Sequence, residues 1–322
     1  MRLRLLIFAV VACALVAPAT ASAAYKIGIS ENNASMFSDP LFTALGAKYA
    51  RVVVPWNVMT ANDGRLPVLQ QYVAQANSQG VDVLVSFEHI RGDATLCQNR
   101  KNFRKAICKL PSPAAYERAL RTFLAAFPTV KTISPWNEIN HFSQPTSRNP
   151  RAAARLTDKV RQVCPDCTIV AADVLDQADD PKATNPTFRK TSSYLKRFRR
   201  SLKAPRTVCG IHNYSDVNRF RSVGTRALMR ALGCKQYWLT ETGGLYRFGS
   251  FWSKRTKKGC TTSASCQLKA TKYMFSLAGS NKKVKRLYIY TWFGGVTPRF
   301  DAGLVAKGRP RSAYKEVKRR LR

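Results

Sequence analysis

From Tyr25 onward, short runs of β-branched and aromatic residues alternate with amphipathic segments, and the alternation occurs eight times. The runs are YKIGISEN (25–32), YARVVVPW (49–56), DVLVSFEH (82–89), TISPWNEIN (132–140), TIVAADVLD (168–176), TVCGIHNY (207–214), QYWLTETGG (236–244) and RLYIYTWFGG (286–295). The segments between them carry helix signals. In 112–127, Tyr116, Leu120, Phe123, Leu124 and Phe127 share one face behind a Ser112-Pro113 start, and Asn149-Pro150 opens 149–163 in the same way. Segments 66–79, 219–232, 266–279 and 312–321 are similar, with weaker patterns at 40–48 and 191–202; Gly80 and Gly233 stand where helix C-termini need them.

Near-continuous apolar strands, each followed by a helix, describe parallel strands buried on both faces. The expected architecture is α/β, a single (β/α)8 TIM barrel over residues 24–322. An open doubly wound sheet is the alternative, but it calls for a Gly-rich turn after its first strand, and GISENN is not one.

Ahead of the barrel, Arg2 and Arg4 precede an apolar run from Leu5 to Val16 and the small residues Ala21-Ser22-Ala23. This reads as a signal peptide of bacterial type over residues 1–23, hence a secreted, extracellular protein with no membrane span. Eight cysteines lie beyond it. Neighbours in sequence pair as Cys97 with Cys108, Cys164 with Cys167, Cys209 with Cys234, and Cys260 with Cys266, the arrangement expected of an exported chain. Cys164-Pro-Asp-Cys167 has the spacing of a redox dithiol but falls between a helix and a strand, which favours a structural bridge. The net charge is +36, with basic residues spread along the chain. Such a field draws anions; without a single basic tail or stripe it does not point to specific nucleic-acid binding.

Only six glutamates occur, and Glu31, Glu88, Glu138 and Glu241 end the first, third, fourth and seventh runs. In a (β/α)8 barrel the active site occupies the C-terminal ends of the strands. Arg51, Trp56, His89, Asn137, Asp173, Asp176, His212, Tyr214 and Trp292 belong to the same rim. Carboxylates among Arg, His, Tyr and Trp suit cleavage of a sugar acetal, where one carboxyl protonates the leaving oxygen and another attacks the anomeric carbon. With three histidines in the chain and the cysteines assigned to disulfides, no metal site is expected, and no P-loop, Gly-x-Ser-x-Gly or dinucleotide motif calls for a cofactor.

PWNEIN in the fourth run, WLTETGG in the seventh, HNY in the sixth, the arginine of ARVVVPW and the tryptophan of YTWFGG resemble clan A of the retaining glycoside hydrolases, the barrels that include cellulases, mannanases and β-glucanases. The resemblance implies Glu138 as general acid/base with Asn137 on the sugar 2-hydroxyl, and Glu241 as nucleophile held ionised by Tyr214 and Arg51. It also implies His212 and His89 beside the cut bond and Trp292 as the floor of that subsite. Trp56 and Glu88, by their places on the rim, are expected as further substrate contacts. The implied protein is a monomeric glycosidase acting on a β-linked poly- or oligosaccharide.

Long insertions after the third and seventh runs, 90–112 and 245–266, are expected to wall the cleft. They bring Arg91, Arg100, Lys101, Arg104, Lys105, Arg247, Lys254, Arg255, Lys257 and Lys258, with Tyr246, Phe248, Phe251 and Trp252, a set that fits an acidic or cell-wall glycan. Competing readings are a non-catalytic carbohydrate-binding barrel, a thiol oxidoreductase built on Cys164 and Cys167, and a basic nucleic-acid binder. The last gives no reason for glutamates at the strand ends.

Overall fold

The computed structural model describes residues 25–90, 92–180, 183, 185–249, 259–297 and 299–322. The expected leader and the loop residues Arg91, Phe251, Trp252, Lys254, Arg255, Lys257 and Lys258 lie outside the described residues. Seven strands, β1 (Lys26–Ser30), β2 (Tyr49–Pro55), β3 (Asp82–Glu88), β4 (Thr132–Ser134), β5 (Thr168–Leu175), β6 (Val208–His212) and β7 (Gln236–Thr242), form a parallel sheet in chain order. Past a two-residue strand β8 (Arg247–Phe248), β9 (Val284–Tyr290) pairs with both β7 and β1 and closes the barrel. β8 itself pairs antiparallel with β10 (Phe300–Asp301) in a ribbon outside the barrel sheet.

The helices are α1 (Pro40–Leu45), α2 (Arg65–Ser78), α3 (Pro113–Ala126), α4 (Pro150–Val163), α5 (Arg189–Ser201), α6 (Tyr214–Asn218), α7 (Val223–Leu232), α8 (Ser263–Gly279) and α9 (Ser312–Leu321). Ser112 and Asn149 cap α3 and α4 by accepting from the amides of Ala115 and Ala152, and Gly233 ends α7 in the left-handed region. Several boundaries depart from expectation, among them the end of the eighth run, where β9 stops at Tyr290 instead of Gly295, and two have clear local causes. β4 stops at Ser134 instead of Asn140 because Pro135 has no N–H with which to extend the ladder. α7 begins at Val223 instead of Arg219 because α6 forms first and Phe220, at φ 53°, breaks the helical run.

Leu84, Val170, Val208, Trp238 and Tyr288 form a separate apolar cluster, one side chain from each of five strands, that plugs the lower barrel with Tyr49 packed against it. Side chains two residues further along a strand point the same way, so Arg51, Ser86, Gly210, Thr240 and Tyr290 make the next layer up. Two β-bulges then alter the alternation. Val170 to Asp173 on β5 spans the length that Val208 to Gly210 spans on β6, and Trp238 to Glu241 on β7 faces Gly210 to His212. Each bulge adds one residue and re-aims the side chains beyond it. Asp173 and Glu241 are thereby brought into the barrel mouth. Gly210 is the accommodating residue, since a Cβ there would collide with the Asp173 carboxylate and the Thr240 hydroxyl.

The cysteines pair as expected: Cys97–Cys108, Cys164–Cys167, Cys209–Cys234 and Cys260–Cys266. Cys209–Cys234 ties β6 to the turn before β7, and Cys164–Cys167 links the end of α4 to the start of β5. Among the described residues no helix is long and apolar enough to cross a membrane.

Candidate active site

At the C-terminal end of the barrel, Arg51 is the hub. Its side chain is fully buried, and its two terminal nitrogens donate to Ser30 Oγ at 3.1 Å, Glu241 Oε2 at 2.9 Å, Asn137 Oδ1 at 2.8 Å and Asp173 Oδ2 at 3.2 Å. Burial works against the guanidinium, but Asp173 and Glu241 outweigh it and hold its charge. Asp173 is equally buried; burial would raise its carboxyl, yet Arg51 and His212, with hydroxyl donors Thr240 and Ser86, hold it below the ordinary aspartate value. A buried ion pair survives best when its remaining polar atoms are satisfied; here the Asp173 oxygens and both terminal nitrogens of Arg51 have partners, and Arg51 Nε is the one group left without one.

Above the hub stand two glutamates. Glu241 accepts from Arg51 through Oε2 and from the Tyr214 hydroxyl through Oε1 at 3.0 Å. Burial and the nearby Glu241 charge push the Tyr214 phenol well above its ordinary value, so it remains a donor. Glu138 lies four residues beyond the end of β4 at φ 44°, a left-handed conformation that strains a side-chain-bearing residue by about 1–3 kcal/mol. Hydrogen bonds to neighbouring strands hold the turn: Asn137 N–H donates to Phe87 O at 2.6 Å and Ile139 N–H to Asp173 O at 2.9 Å.

His212 links the two carboxylates. Its Nδ1 lies 3.0 Å from Glu138 Oε1 and 3.6 Å from Glu241 Oε2. Those two oxygens are therefore no further apart than the two distances laid end to end, about 6.6 Å. Burial alone would lower the imidazole, but the charge of Glu241 and the bond to Glu138 raise it above its ordinary value of 6.5. For Glu138, burial pushes up, while His212, His141 and Arg51 together pull the carboxyl below its ordinary 4.5.

These groups open into a cavity of about 540 Å³, within the roughly 300–1,000 Å³ usual for small-molecule sites. One wall is aromatic, made by Tyr214, Tyr290, Phe300 and Phe248 with ring centroids 5.7–6.4 Å apart. The β8–β10 ribbon carries two of these rings, and the fork of Arg311 on Asp301, two bonds of 2.7 Å, anchors it. The lining also includes the polar side chains of His141, Asp176, Gln177 and Arg219. Burial and the neighbouring Asp216 raise the Asp176 carboxyl well above its ordinary value.

Of the residues singled out from sequence, Arg51, Asn137, Glu138, His212, Tyr214 and Glu241 meet at this centre. Trp292 does not. It is fully buried among Phe42 and Tyr314 with its indole N–H on Asp39, so it cannot floor a subsite; Tyr290, two residues earlier, takes the cavity wall. Glu88, His89 and Trp56 do not line the cavity either. His89 is buried with Nδ1 on Ile90 O, and the Trp56 ring packs on the core. Glu31 is a structural tie: its carboxylate accepts from Asn32, Asn33, Thr291, Trp292 and Phe293. Sequence reasoning missed His141, Tyr290 and Phe300. For Tyr290 a signal existed, because it stands two residues beyond Tyr288 on one strand. Among the described residues no cluster of three or more His, Cys, Asp or Glu could hold a metal ion.

No protein-family model matches the chain, and no curated protein matches it in sequence. Its backbone is similar to many solved barrels. A psychrophilic glycoside hydrolase family 10 endo-β-1,4-xylanase superposes with a TM-score of 0.61 at 14% identity, covering 91% of this chain and 96% of the other. Xylanase XynB from Paenibacillus barcinonensis gives 0.63 at 11% identity, covering 91% and 95%. The GH5_18 protein from Streptomyces cattleya, solved with GlcNAc, gives 0.61 at 16% identity, covering 92% and 79%. At these identities the likeness is one of fold.

Proposed function

We propose that the protein is an exported glycoside hydrolase that cleaves a β-linked poly- or oligosaccharide with retention, using Glu241 as nucleophile and Glu138 as general acid/base. The observation that carries this reading is the His212 bridge, which brings both carboxylates to one imidazole nitrogen at the mouth of the barrel and keeps Glu138 Oε1 and Glu241 Oε2 no more than about 6.6 Å apart. Retaining enzymes need roughly 5–5.5 Å and inverting ones roughly 6.5–9.5 Å. The solved barrels most similar in fold include proteins named as xylanases and β-glycosidases, which supports the same reaction class.

In the first step Glu241 attacks the anomeric carbon as Glu138 gives a proton to the glycosidic oxygen; the C–O bond breaks and a glycosyl ester remains. In the second, Glu138 takes a proton from water, the oxygen attacks the same carbon, and Glu241 leaves as carboxylate. Arg51 and Tyr214, each donating to one of its oxygens, aim the Glu241 carboxylate. At rest the proton for the first step resides on the His212–Glu138 pair, with the raised imidazole as its store.

The test is reducing-end release from a panel of neutral and acidic β-glycans, with the anomer of the first product read by NMR and Glu138→Gln and Glu241→Gln alongside. Activity with retention, abolished by both changes, supports the proposal. Inversion would overturn the nucleophile role. Glycan binding without turnover would make the barrel a non-catalytic carbohydrate binder.

A further inference from the structure

The positive charge is less evenly spread than the sequence first suggests. Residues 181–300 hold 26 Lys and Arg against two carboxylates, Asp216 and Glu241, a net +24 of the chain's +36; residues 25–180 hold 18 against 14. Neither carboxylate faces outward. Asp216 is fully buried on Arg221, and Glu241 is in the catalytic cavity on Arg51. In the barrel this stretch is one continuous sector, β6, β7 and β9 with α5, α7 and α8 outside them. The stretch therefore offers its outer wall cations and no exposed carboxylate of its own; the Asp179 carboxylate reaches its edge, accepting from the Thr187 hydroxyl and the amides of Arg189 and Lys190.

The wall is also grooved. At the barrel base, a hollow of about 510 Å³ is bordered by Arg226, Arg230, Lys282 and Lys283, with Asn281 and Tyr237. A second, of about 410 Å³, runs between α5 and α7 and is bordered by Arg189, Lys196 and Arg230 with the hydroxyls of Thr187, Ser192 and Ser193. Arg230 borders both, so the hollows join into a path from the start of α5, near the catalytic end, down α7 to the opposite end. These six cations are exposed, and among the described residues none is in an ion pair.

We propose that this path is a binding track for an extended anionic polysaccharide, separate from the catalytic cavity. Unpaired cations at intervals along a groove match a polymer that carries one negative group per few sugar units, and counterion release on contact drives association. Serine, threonine and asparagine between the cations suit sugar hydroxyls. A single-stranded nucleic acid would want stacking rings, and the exposed large apolar side chains among the described residues, Val68, Phe142, Phe248 and Val296, all lie elsewhere. Four disulfides favour a non-cytosolic setting, where glycans are the common polyanions.

The test is fluorescence anisotropy on the full chain with labelled polygalacturonate, neutral dextran and duplex DNA, between about 50 and 200 mM NaCl. One variant carries Arg226→Gln, Arg230→Gln, Lys282→Gln and Lys283→Gln. A control carries Lys48→Gln, Arg118→Gln, Lys131→Gln and Arg151→Gln, removing the same charge from exposed sites elsewhere. The track variant is expected to lose roughly 10-fold or more in polygalacturonate affinity with a shallower salt slope, and the control less than about 2-fold. Equal losses in both would reduce the effect to net charge and overturn the track. Tighter binding of DNA than of polygalacturonate at the same salt would overturn the assigned partner, and no polygalacturonate binding at the lowest salt would overturn the proposal outright. Unchanged melting temperatures guard against misfolding as the cause.

Discussion

The two glutamates at the barrel mouth are held in opposite ways. Glu241 lies within a seven-residue strand, and its carboxylate meets two partners that do not change charge near neutrality, a guanidinium and a phenol. Glu138 lies beyond a three-residue strand, in a strained turn, and its close partner is an imidazole. A group that must stay ionised suits fixed donors. A group that must gain and lose a proton suits a partner that titrates with it.

The sharpest way to break this contrast is to remove each carboxylate and offer azide in its place. Glu241→Ala is expected to lower kcat by roughly 10⁴-fold or more, with azide restoring turnover to the inverted product. Glu138→Ala is expected to lose roughly 10²–10⁴-fold on poor leaving groups and much less on a nitrophenyl glycoside, with azide giving the retained product. Swapped stereochemistry between the two rescues would reverse the roles.

Arg51 serves the fixed side of the comparison. Arg51→Gln leaves Asp173 buried without its charge partner, so a stability loss of about 3–5 kcal/mol should accompany the loss of activity, measured by urea unfolding. A much smaller loss would mean that water replaces the guanidinium. Tyr214→Phe removes one bond to a charged oxygen, worth about 1.5–3 kcal/mol, and should lower kcat roughly 10- to 100-fold while the fold remains intact.

The titrating side makes a smaller, pH-dependent prediction. Because Glu241 and Glu138 raise His212 above its ordinary value, kcat/KM should fall as pH rises through the raised value. The same sign applies to stability: the contribution is full below about 6.5 and fades as pH climbs through the folded-state value. In Glu138→Gln one of the charges that raise the imidazole is gone, so the His212 midpoint followed by nitrogen NMR should move down. An unmoved midpoint would sever the proposed pairing.

Much of the barrel was legible because apolar runs and helix caps are local signals. The eight strands were read from apolar runs, the four disulfides from cysteines close in sequence, and the convergence of Arg51, Asn137, Glu138, His212, Tyr214 and Glu241 from polar residue types on and just beyond the strands. The features that stayed hidden depend on register. Trp292 looked like the natural sugar platform, but the chain leaves β9 after Tyr290, and the indole turns into the core instead. Simple alternation from Trp238 and Thr240 would likewise aim Glu241 outward, and only the bulge on β7 turns it in. Phe300 reaches the cavity through a ribbon formed by residues far apart in sequence, which no local pattern reveals.

The arginine hub also constrains the order in which the chain can become native. Its partners lie 21, 86, 122 and 190 residues away, at Ser30, Asn137, Asp173 and Glu241. Until β7 has docked, the guanidinium lacks one of its two carboxylates in any compact intermediate, and an incompletely paired buried charge disfavours that intermediate. Contacts of such long separation form slowly because the intervening chain must first be closed into loops. The residue that organises the site thus penalises half-closed barrels, coupling completion of the mouth to completion of the fold.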